Sequence, residues 1–593
     1  MKFSRHWMAV AAAVFLGAGA TARAEKPNVV FVITDDQGMG DLGCTGNPYI
    51  KTPHIDKFHS DAVRLTNYHV GTTCAPSRSM IMSGRHCNRV NVYHTINGRS
   101  ILFEDEVTLA EVFAQNGYVN AMYGKWHLGD NYPYRPEDRG FHEVVRHGAG
   151  GIGQGPDYWW NDYFDDTYWH NSELQQYEGY CTDVFFAEAL KFIETNKDKP
   201  FFCYLSLNAP HAPYNLPKDY YDLYQGEEFE ELHPRLRRFY GMISNIDDNF
   251  QKLETKLDEL GLTENTILIF TTDNGTSAGR SVYNAGLKGS KGSQYDGGHR
   301  VPFFIRWPDG KLTGGKDIGQ LAAAYDLLPT FADLLGLDFE PKKPLDGKSL
   351  KPLLTHENPN WENRILYIDT QREQNLIKYK KYSVMDENWR LVDGNKLYKI
   401  NEDLSQDQDV YDQYPEVAER LKAGYEKWWQ SFMDDGVAER YAYIKVGSPH
   451  ENPTKIHAHD QIVGRYNDSW HQNGASEAAQ STGKWKIEFV TDGEYSISLR
   501  RFPRESGLAI NATFPGQEPR VELDKTATGS VKDDFAEAML YVANISKTQE
   551  IKEGQDEVVF KGRIPAGKYD LEAHLIDSVG RVHPAYYVYI EKL

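Results

Sequence analysis

The amino-acid sequence predicts an α/β fold: a large, mostly parallel sheet sandwiched by helices, with a small antiparallel sheet-plus-helix subdomain and an additional C-terminal all-β module. Two observations predict the large sheet. Four apolar runs rich in β-branched or aromatic residues occur in the first 270 residues, and helical patterns separate them. Alternating strands and helices form parallel sheets covered on both faces, and ligands bind beyond the carboxyl ends of their strands.

Each element of the predicted sheet follows from a local pattern. The apolar runs cover 29–33, 118–122, 201–205 and 267–270. The helical patterns between them cover 182–196, 234–260 and 108–116, the last of which opens with the capping box Thr108-x-x-Glu111. We expect these elements to form one catalytic domain over 25–355.

After about residue 350 the patterns change to short strands with turns. Strands predicted at 382–384, 389–392 and 396–398 precede a helix from 415 to about 433, which indicates a sheet-plus-helix subdomain over 356–447. Alternating segments such as 485–490 and 495–499 predict an all-β module over 483–593. The loop-like stretch 448–482 is the expected linker.

The composition is that of a globular protein with several domains. The chain has 593 residues, 40% of them hydrophobic and 25% charged, so it is long enough to bury a large core. Its 65 Lys and Arg against 85 Asp and Glu give a formal net charge of -20. A surface of this sign repels phosphate backbones, which argues against a nucleic-acid partner and requires a local basic pocket for any anionic ligand.

Residues 1–24 have the pattern of a cleavable signal peptide. Lys2 and Arg5 precede an apolar stretch over 7–20, and 22–24 has the small-x-small form of a cleavage site. A membrane anchor, the alternative, needs about 20 apolar residues. Removal of the segment leaves 62 basic against 85 acidic residues. We therefore expect a periplasmic or secreted chain that starts near Glu25 and has no membrane span.

Carboxylate and amide side chains follow the first and fourth predicted strands. The first strand is followed by Thr34, Asp35 and Asp36, and the fourth strand is followed shortly by Asp273 and Asn274. Either pair alone is more often a turn or a helix cap than a ligand set. In one sheet, the two pairs supply four oxygen ligands, and adjacent carboxylates need a cation. Together they predict a Ca²⁺ or Mg²⁺ site.

Basic and histidine side chains follow the other two strands or lie in a glycine-rich loop. Lys125 and His127 are two positions apart, so in an extended segment they face the same way. His211 lies in a proline-stiffened turn, and Lys291 lies between Gly289 and Gly292. Taken alone, His211 is more often a structural hydrogen-bonder, and Lys291 is more often a solvated loop lysine.

The segment Cys74-Ala75-Pro76-Ser77-Arg78 predicts a helix N-terminus, because Pro76 fits a first turn and 77–83 can continue it. Cys74 would then lie where unpaired N–H groups attract anions, with Arg78 one turn further on the same side. A structural or disulfide cysteine and an ordinary thiolate nucleophile fit this environment as well. The physics of the segment alone leaves these alternatives open.

These residues resemble the sulfatase family, which is formylglycine-dependent, arylsulfatase-like and part of the alkaline-phosphatase-like superfamily. The family's modification signature, Cys-x-Pro-Ser-Arg, is matched by Cys74, Pro76, Ser77 and Arg78. Family-like segments surround the other candidate residues in the family's order, and the likeness covers about residues 26–435. The departures are Ala75 where Thr is frequent, Asp296 where Glu is usual and His299 where an aliphatic residue is common.

The resemblance implies a modified residue and a metal site. A formylglycine-generating enzyme, or an anaerobic maturase, would oxidise Cys74 to 3-oxoalanine, and the hydrated aldehyde would supply the nucleophile. The metal would be held by Asp35, Asp36, Asp273, Asn274 and the modified Cys74. The resemblance implies Ca²⁺, with Mg²⁺ less favoured.

The resemblance also implies roles for the basic residues. Arg78 would stabilise the oxyanion form of the nucleophile, and Lys125 and Lys291 would bind the sulfate oxygens. His211, with Lys291, would contact the substrate and protonate the leaving alcohol. His127 would take a proton from the second hydroxyl of the diol, which expels sulfate and restores the aldehyde.

The predicted substrate is a sulfated polysaccharide or oligosaccharide, processed by a secreted bacterial enzyme. The stretch 157–170 is dense in aromatic and polar residues, a mixture that suits the apolar faces and hydroxyl groups of a sugar. Within it, Asp162 and His170 are the candidate substrate-binding residues. An aromatic core that fills the domain is the alternative explanation of this stretch.

Two other functions and the state of four cysteines stay open. A phosphate mono- or diesterase of the same superfamily would use similar metal ligands. From a different class, a secreted glycan-binding protein with a lapsed active site would keep the fold without the activity. If Cys74 is modified, the pairing of the remaining cysteines is not predicted; these are Cys44, Cys87, Cys181 and Cys203.

Overall fold

The structure is a computed structural model that describes residues 26–355, 361–464, 467–531 and 533–593. The predicted signal peptide, 1–24, lies outside the described residues. The strands of the first part are β1 Asn28–Thr34, β2 Val63–Leu65, β3 Tyr68–His69, β4 Val119–Gly124, β5 Glu143–Arg146, β6 Thr167–His170, β7 Glu173–Gln176, β8 Phe201–Ser206, β9 Thr266–Thr272, β10 Phe303–Arg306, β11 Asp317–Ile318 and β12 Ala322–Ala323. Its helices are α1 Pro53–Asp61, α2 Cys74–Ser83, α3 Leu109–Gln115, α4 Cys181–Thr195, α5 Lys218–Asp222, α6 Pro234–Glu259, α7 Leu327–Leu334 and α8 Lys351–Thr355.

The first part is built around a ten-stranded sheet with the order β11-β2-β10-β9-β1-β8-β4-β5-β6-β7. The four adjacent strands β9, β1, β8 and β4 are the four predicted apolar runs, and they pair in parallel. Antiparallel pairs lie outside them, where β10 joins β9 and β2, and β6 joins β5 and β7. The predicted α/β fold is therefore confirmed, and the carboxyl ends of the four strands meet at one edge.

Helices cover both faces of this sheet. Alternate residues of β1 point to opposite sides, so that Phe31 belongs to the core that includes α3 and α7, whereas Val32 belongs to the core that includes α4 and α6. Helix α3 begins with the predicted capping box, in which Glu111 N donates to Thr108 Oγ1 (3.1 Å) and Thr108 N donates to the Glu111 carboxylate (2.6 Å).

A small antiparallel sheet and one helix follow the large sheet. The strands β13 Leu366–Asp369, β14 Tyr382–Met385, β15 Trp389–Val392 and β16 Lys396–Lys399 pair in this order. Helix α9, Pro415–Asp434, buries Tyr425, Trp428 and Phe432 in a core shared with β14 and β15. These elements match the predicted sheet-plus-helix subdomain.

The C-terminal part is rich in strands, as predicted, and forms two sheets. Its strands are β17 Ile444–Val446, β18 Thr454–His457, β19 Ile462–Val463, β20 Gly483–Phe489, β21 Gly493–Arg500, β22 Phe535–Val542, β23 Ile545–Glu550, β24 Val558–Ile564, β25 Gly567–Asp577, β26 Val582–Pro584 and β27 Tyr587–Lys592, and one helix, α10, covers Gln472–Ser476. One sheet has the order β17-β20-β25-β22-β23, with β19 and β26 attached, and the other has the order β18-β27-β21-β24.

The segment 448–482 differs from the linker expected there. Strand β18 pairs with β27 near the end of the chain, and β19 pairs with β20. Thr454 and Ile456 of β18 are fully buried. Short strands of this kind give weak local patterns, because each depends on a partner strand elsewhere in the sequence.

The C-terminal part shares a hydrophobic core with the first part. Ile101, Phe103 and Tyr134 belong to the same buried cluster as Trp485 and Ile487 of β20. The two parts are therefore packed together through apolar side chains.

The sequence leaves the pairing of the cysteines open and predicts no membrane span. All five cysteines lie in the described part of the chain, and each is a free thiol. Among the described residues, no helix combines the length and the apolar character needed to cross a bilayer.

Candidate active site

The two predicted pairs of oxygen ligands lie side by side at the carboxyl edge of the large sheet. Strands β1 and β9 are adjacent and parallel, and each is followed directly by its pair. Asp36 N donates to Asp273 Oδ1 (3.1 Å), and Asn274 Nδ2 donates to Asp36 Oδ1 (2.9 Å). Asp35 and these three residues are all buried. The parallel sheet thus brings together residues that are far apart in the sequence.

Two lysines pair with Asp35 and Asp36. Lys125 follows β4, and its Nζ donates to Asp35 Oδ2 (2.5 Å). Lys291 Nζ donates to Asp36 Oδ2 (2.8 Å) and lies 2.7 Å from Oδ1. Burial alone would raise the pKa of Asp36, but the positive charge of Lys291, together with hydrogen bonds from Lys291 and Asn274, holds that pKa well below its ordinary value. Asp36 is therefore a carboxylate at neutral pH.

Cys74 is the first residue of α2 and lies beside these carboxylates. Single ligand atoms of Asp35, Asp36, Cys74 and His211 all lie within 4.8 Å of one another. Burial, with the charge of Asp35, raises the pKa of the Cys74 thiol to about 12, against the opposing charge of Lys125. The thiol is therefore protonated at neutral pH, which argues against an ordinary thiolate nucleophile.

Arg78 lies one turn along α2 and is almost fully buried. Its Nε and Nη2 donate to Asp273 Oδ2 (3.0 and 2.8 Å), and its Nη1 donates to Lys125 O (3.1 Å) and to Ser206 Oγ. Strands β4 and β8 approach closely here because Gly124 has no side chain, and a Cβ at that position would lie 2.1 Å from Ser206 O. Arg78 therefore joins the ends of three strands beneath α2.

The two candidate histidines each use one ring nitrogen to bond to a backbone carbonyl. His127 Nε2 donates to Thr95 O (2.8 Å), and its buried Nδ1 has no hydrogen-bond partner among the described residues. His211 Nδ1 donates to Ala212 O (2.6 Å), and its Nε2 lies 3.8 Å from Asp36 Oδ2. Burial, followed by nearby lysine charges, lowers both pKa values, that of His211 to about 3. Both rings are neutral in this structure.

The acidic cluster has the donor atoms of a divalent-cation site. Asp35 Oδ1 and Asn274 Oδ1 are buried, and neither accepts a hydrogen bond from any residue in the described ranges. Buried oxygens without partners are costly, and carboxylate and amide oxygens at this density suit Ca²⁺ or Mg²⁺. The residues present therefore fit the cation predicted from the sequence, with Asp36 and Asp273 as further ligands.

A cavity of about 470 Å³, here called the groove, opens beside His211. One wall comes from the first part of the chain and is lined by residues 152–153, 160–163, 211–213, 215 and 235. The opposite wall comes from the C-terminal part and is lined by residues 468, 470–474, 477, 517 and 525–527. The groove therefore lies between the two parts and reaches His211, one of the candidate catalytic residues.

Of the two predicted sugar-binding residues, Asp162 lines the groove and His170 does not. The Asp162 carboxylate accepts hydrogen bonds from Gln517 and from Arg520 (2.8 Å), so its charge is paired. His170 lies on β6, and its Nδ1 accepts a hydrogen bond from Tyr177 OH (3.0 Å). The hairpin of β6 and β7 extends one end of the sheet, and His170 on it does not line the groove.

The sequence does not predict several residues that the structure brings to the site. Trp470, His471 and Lys525 line the groove, but no motif surrounds them, and two of them lie in the expected linker. Ser206, which accepts a hydrogen bond from Arg78, directly follows the predicted strand 201–205, and that position is the signal that could have identified it.

Comparison with known proteins gives the family. The model of the family described as sulfatase matches residues 27–337, and that described as N-sulphoglucosamine sulphohydrolase, C-terminal, matches residues 290–430. The chain belongs to the sulfatase family. It is 32% identical to arylsulfatase A of Homo sapiens over 57% of this chain and 69% of the relative, and 30% identical to N-acetylgalactosamine-6-sulfatase of Rattus norvegicus over 57% and 68%.

A solved structure supports the same fold for this sulfatase. The crystal structure of Ps i-CgsB in complex with k-i-k-neocarrahexaose is similar with a TM-score of 0.61 and 27% identity, over 68% of this chain and 93% of that chain. Together, the family and its relatives show that the chain is a sulfuric ester hydrolase. Both family models end at or before residue 430, so the second wall of the groove lies outside them.

Proposed function

We propose that this sulfatase removes sulfate esters from a sulfated polysaccharide or oligosaccharide, with a formylglycine formed at Cys74 and a divalent cation beside it. The observation that carries the proposal is the cluster in which ligand atoms of Asp35, Asp36, Cys74 and His211 lie within 4.8 Å of one another. Residue 74 thus borders a cation site and begins a helix, where negative charge is stabilised.

The proposed cation ligands are Asp35, Asp36, Asp273 and Asn274, with the modified residue 74 as a further ligand. The unpartnered Oδ1 atoms of Asp35 and Asn274 support this set. We favour Ca²⁺ because it accepts many protein oxygens in flexible geometry, whereas Mg²⁺ usually keeps several waters. A bound cation would supply Lewis-acid stabilisation of the sulfate and of the nucleophile.

The charge of the site supports an anionic substrate. Three buried carboxylates are balanced by three cationic side chains, those of Arg78, Lys125 and Lys291. A divalent cation would add two positive charges, so the site would attract a sulfate ester even though the whole chain is acidic. Lys125 and Lys291 would bind the sulfate oxygens, and Arg78 would hold the ends of β4, β8 and β9 in position and stabilise the oxyanion.

Proton transfer is assigned to the two histidines. The hydrogen bond of His127 Nε2 to Thr95 O leaves Nδ1 free, and we propose that Nδ1 takes the proton when sulfate is released. His211 lines the groove and is proposed to protonate the leaving alcohol, with Lys291 close by. The negative charge of a bound sulfate ester would favour the protonated form of His211.

The groove and the relatives support a saccharide substrate. Aromatic and polar side chains, among them Trp160 and Trp470, line a cavity much larger than a sulfate group. One relative is an N-acetylgalactosamine-6-sulfatase, and the structural neighbour is in complex with k-i-k-neocarrahexaose. From the pattern over 1–24 we propose a periplasmic or secreted bacterial enzyme, with its catalytic domain over 25–355 and a β module over 483–593.

The mass of the peptide that contains residue 74 tests the modification. Expression of the full chain with a formylglycine-generating enzyme, whose oxidant accepts the electrons from the thiol, should give a peptide with an aldehyde in place of the Cys74 thiol. A Cys74→Ala chain from the same host should give no such peptide. Full activity in a preparation that carries only the unmodified thiol would overturn the proposal.

Cys74→Ser, made in a host whose modifying enzyme accepts only cysteine, tests the chemistry. We expect sulfate release to fall by at least about 10⁴-fold, because the nucleophile is missing. The melting temperature should stay close to that of the parent chain. Turnover of matched aryl sulfate and aryl phosphate esters by the parent chain identifies the ester, and faster hydrolysis of the phosphate would contradict the proposed substrate class.

A further inference from the structure

We propose that the C-terminal part forms one wall of the substrate-binding groove, and that the groove binds a saccharide chain which continues on both sides of the sulfated unit. This inference rests on the proposed function and adds the form of the substrate, an internal stretch of polysaccharide rather than a free chain end. It assigns substrate-binding roles to Trp160, which lies in the aromatic stretch 157–170, and to Lys525, which no sequence motif marks.

The groove shares lining residues with two other cavities. A second cavity, of about 590 Å³, runs over 158–167 and shares with the groove Trp160, Asn161, Asp162 and Gln517. A third, of about 490 Å³, shares with it Asn473, Lys525 and Thr526. The second and third cavities have no lining residue in common. A site for a terminal sugar would close behind that sugar, whereas this groove adjoins two further cavities.

Trp160 offers an aromatic surface where the groove meets the second cavity. Its ring stacks on Trp159, with centroids 6.2 Å apart and planes at 14°, and Phe514 lies 5.4 Å away. Trp159 in turn packs edge-on against Phe502 (5.5 Å). The two phenylalanines belong to the C-terminal part, so that part holds the ring in place. A half-buried indole of this kind packs against the apolar face of a sugar ring.

Lys525 offers an unpaired positive charge where the groove meets the third cavity. Its side chain is exposed, and it has no ion pair with any residue of the described ranges. After burial, the charge of Lys525 is the main cause that lowers the pKa of His471 to about 4, which places the two side chains near each other. A second sulfate or a carboxylate on the bound chain would meet this ammonium group.

The two walls are joined by Gln472, which is almost fully buried. Its Oε1 accepts a hydrogen bond from Trp160 N (3.0 Å), and its Nε2 donates to the carbonyl oxygens of Gln154, Asp157 and Tyr158 (3.2, 3.2 and 3.0 Å). A wall held by these hydrogen bonds loses little conformational entropy when a ligand binds. This rigidity favours the binding of one shape of substrate. Because Gln472 and Lys525 lie outside both family models, this wall is a feature of the chain beyond its family core.

The dependence of kcat/KM on chain length tests the inference. The probes are size-fractionated di-, tetra- and hexasaccharides of κ-carrageenan and of chondroitin sulfate, with 4-methylumbelliferyl sulfate as the small substrate. For the saccharide series that is desulfated, we expect kcat/KM to rise at least about tenfold from disaccharide to hexasaccharide. Trp160→Ala and Lys525→Gln should each remove most of this rise and lower the aryl sulfate value by a much smaller factor.

Matched variants in the C-terminal part provide the control. Lys561→Gln on β24 and Tyr541→Ala on β22 also change an exposed lysine and an exposed aromatic residue, and they should keep the full dependence on length. The inference would be overturned if kcat/KM were the same for hexasaccharides and disaccharides. It would also be overturned if the aryl sulfate were hydrolysed but no saccharide were desulfated. Failure to hydrolyse the aryl sulfate as well would overturn the proposed function.

Discussion

The carboxyl edge of the large sheet and the walls of the groove are assembled in different ways. At the edge, Asp35, Lys125 and Asp273 each follow a buried strand directly, and adjacent parallel strands bring them together. In the groove, segments from opposite halves of the chain meet, for example where Gly155 N donates to Trp470 O (3.0 Å). Strand geometry fixes the first set of positions, and long-range packing fixes the second.

Under the proposed function, this difference separates the residues that react from those that select the substrate. The residues of the edge lie within the matched region 27–337, whereas the second wall of the groove lies outside both family models. The same catalytic edge can therefore act on different substrates when a different wall faces it. Variants that disturb one region and spare the other test this separation.

Removal of residues 448–593 should have the largest effect, because it disturbs both regions at once. The deletion would expose Ile101, Phe103 and Tyr134, which share a core with the C-terminal part. Exposure of a large apolar side chain costs about 1.5–3 kcal/mol, so the loss of three is comparable to the whole stability of about 5–15 kcal/mol that a typical domain has. We expect no soluble folded protein, measured by size-exclusion chromatography and circular dichroism beside the full chain. A truncated chain that folds and hydrolyses an aryl sulfate at the full rate would show that the two regions are independent.

Asp36→Asn should stop the reaction and leave the groove intact. The amide can still accept a hydrogen bond from Lys291, but the cluster loses one negative charge that a cation needs. We expect kcat/KM for an aryl sulfate to fall about a thousandfold, which corresponds to about 4 kcal/mol, and the bound Ca²⁺ measured by mass spectrometry to fall with it. Binding of a sulfated hexasaccharide, measured by calorimetry, should weaken far less.

The matched control is Asp317→Asn on β11, whose carboxylate is exposed and paired with Arg64. It should keep both the activity and the metal. Dialysis of the parent chain against EDTA should reproduce the loss seen with Asp36→Asn, and Ca²⁺ should restore activity better than Mg²⁺. Full activity in a preparation shown to be free of metal would contradict the cation site.

The sequence predicts the centre of the fold well, because the central strands have strong local signals. The run 29–33 is apolar and is followed by Thr34 and two carboxylates. The observed strand β1 is buried at every position. The hairpin of β6 and β7 gives no such signal, since every residue of β7 is exposed. Strand β18 is missed for a related reason, because its burial depends on β27, which lies far away in the sequence.

The candidate site divides in the same way. The residues at the edge can be predicted because each stands at a fixed distance from a strand and within a recognisable segment. Lys525 lies in a loop that only tertiary packing brings to the groove. The aromatic stretch 157–170 supplies both groove-lining and core residues, since Trp160 lines the groove while Tyr168 is buried in a core.

Asp162→Asn and His170→Ala should have the smallest effects, in that order. Asp162 lines the groove, and its carboxylate holds Gln517 and Arg520, so its loss should loosen the second wall and lower kcat/KM for a hexasaccharide about threefold to fivefold. His170 bonds to Tyr177 away from the groove, so its loss should change the same value less than about twofold. Comparison of kcat/KM for the two variants on the same hexasaccharide shows how far the substrate-binding groove extends. A loss of more than tenfold for His170→Ala would mean that the bound chain runs past the second cavity, along β6 from Thr167 to His170, and that the sheet itself contributes to the choice of substrate.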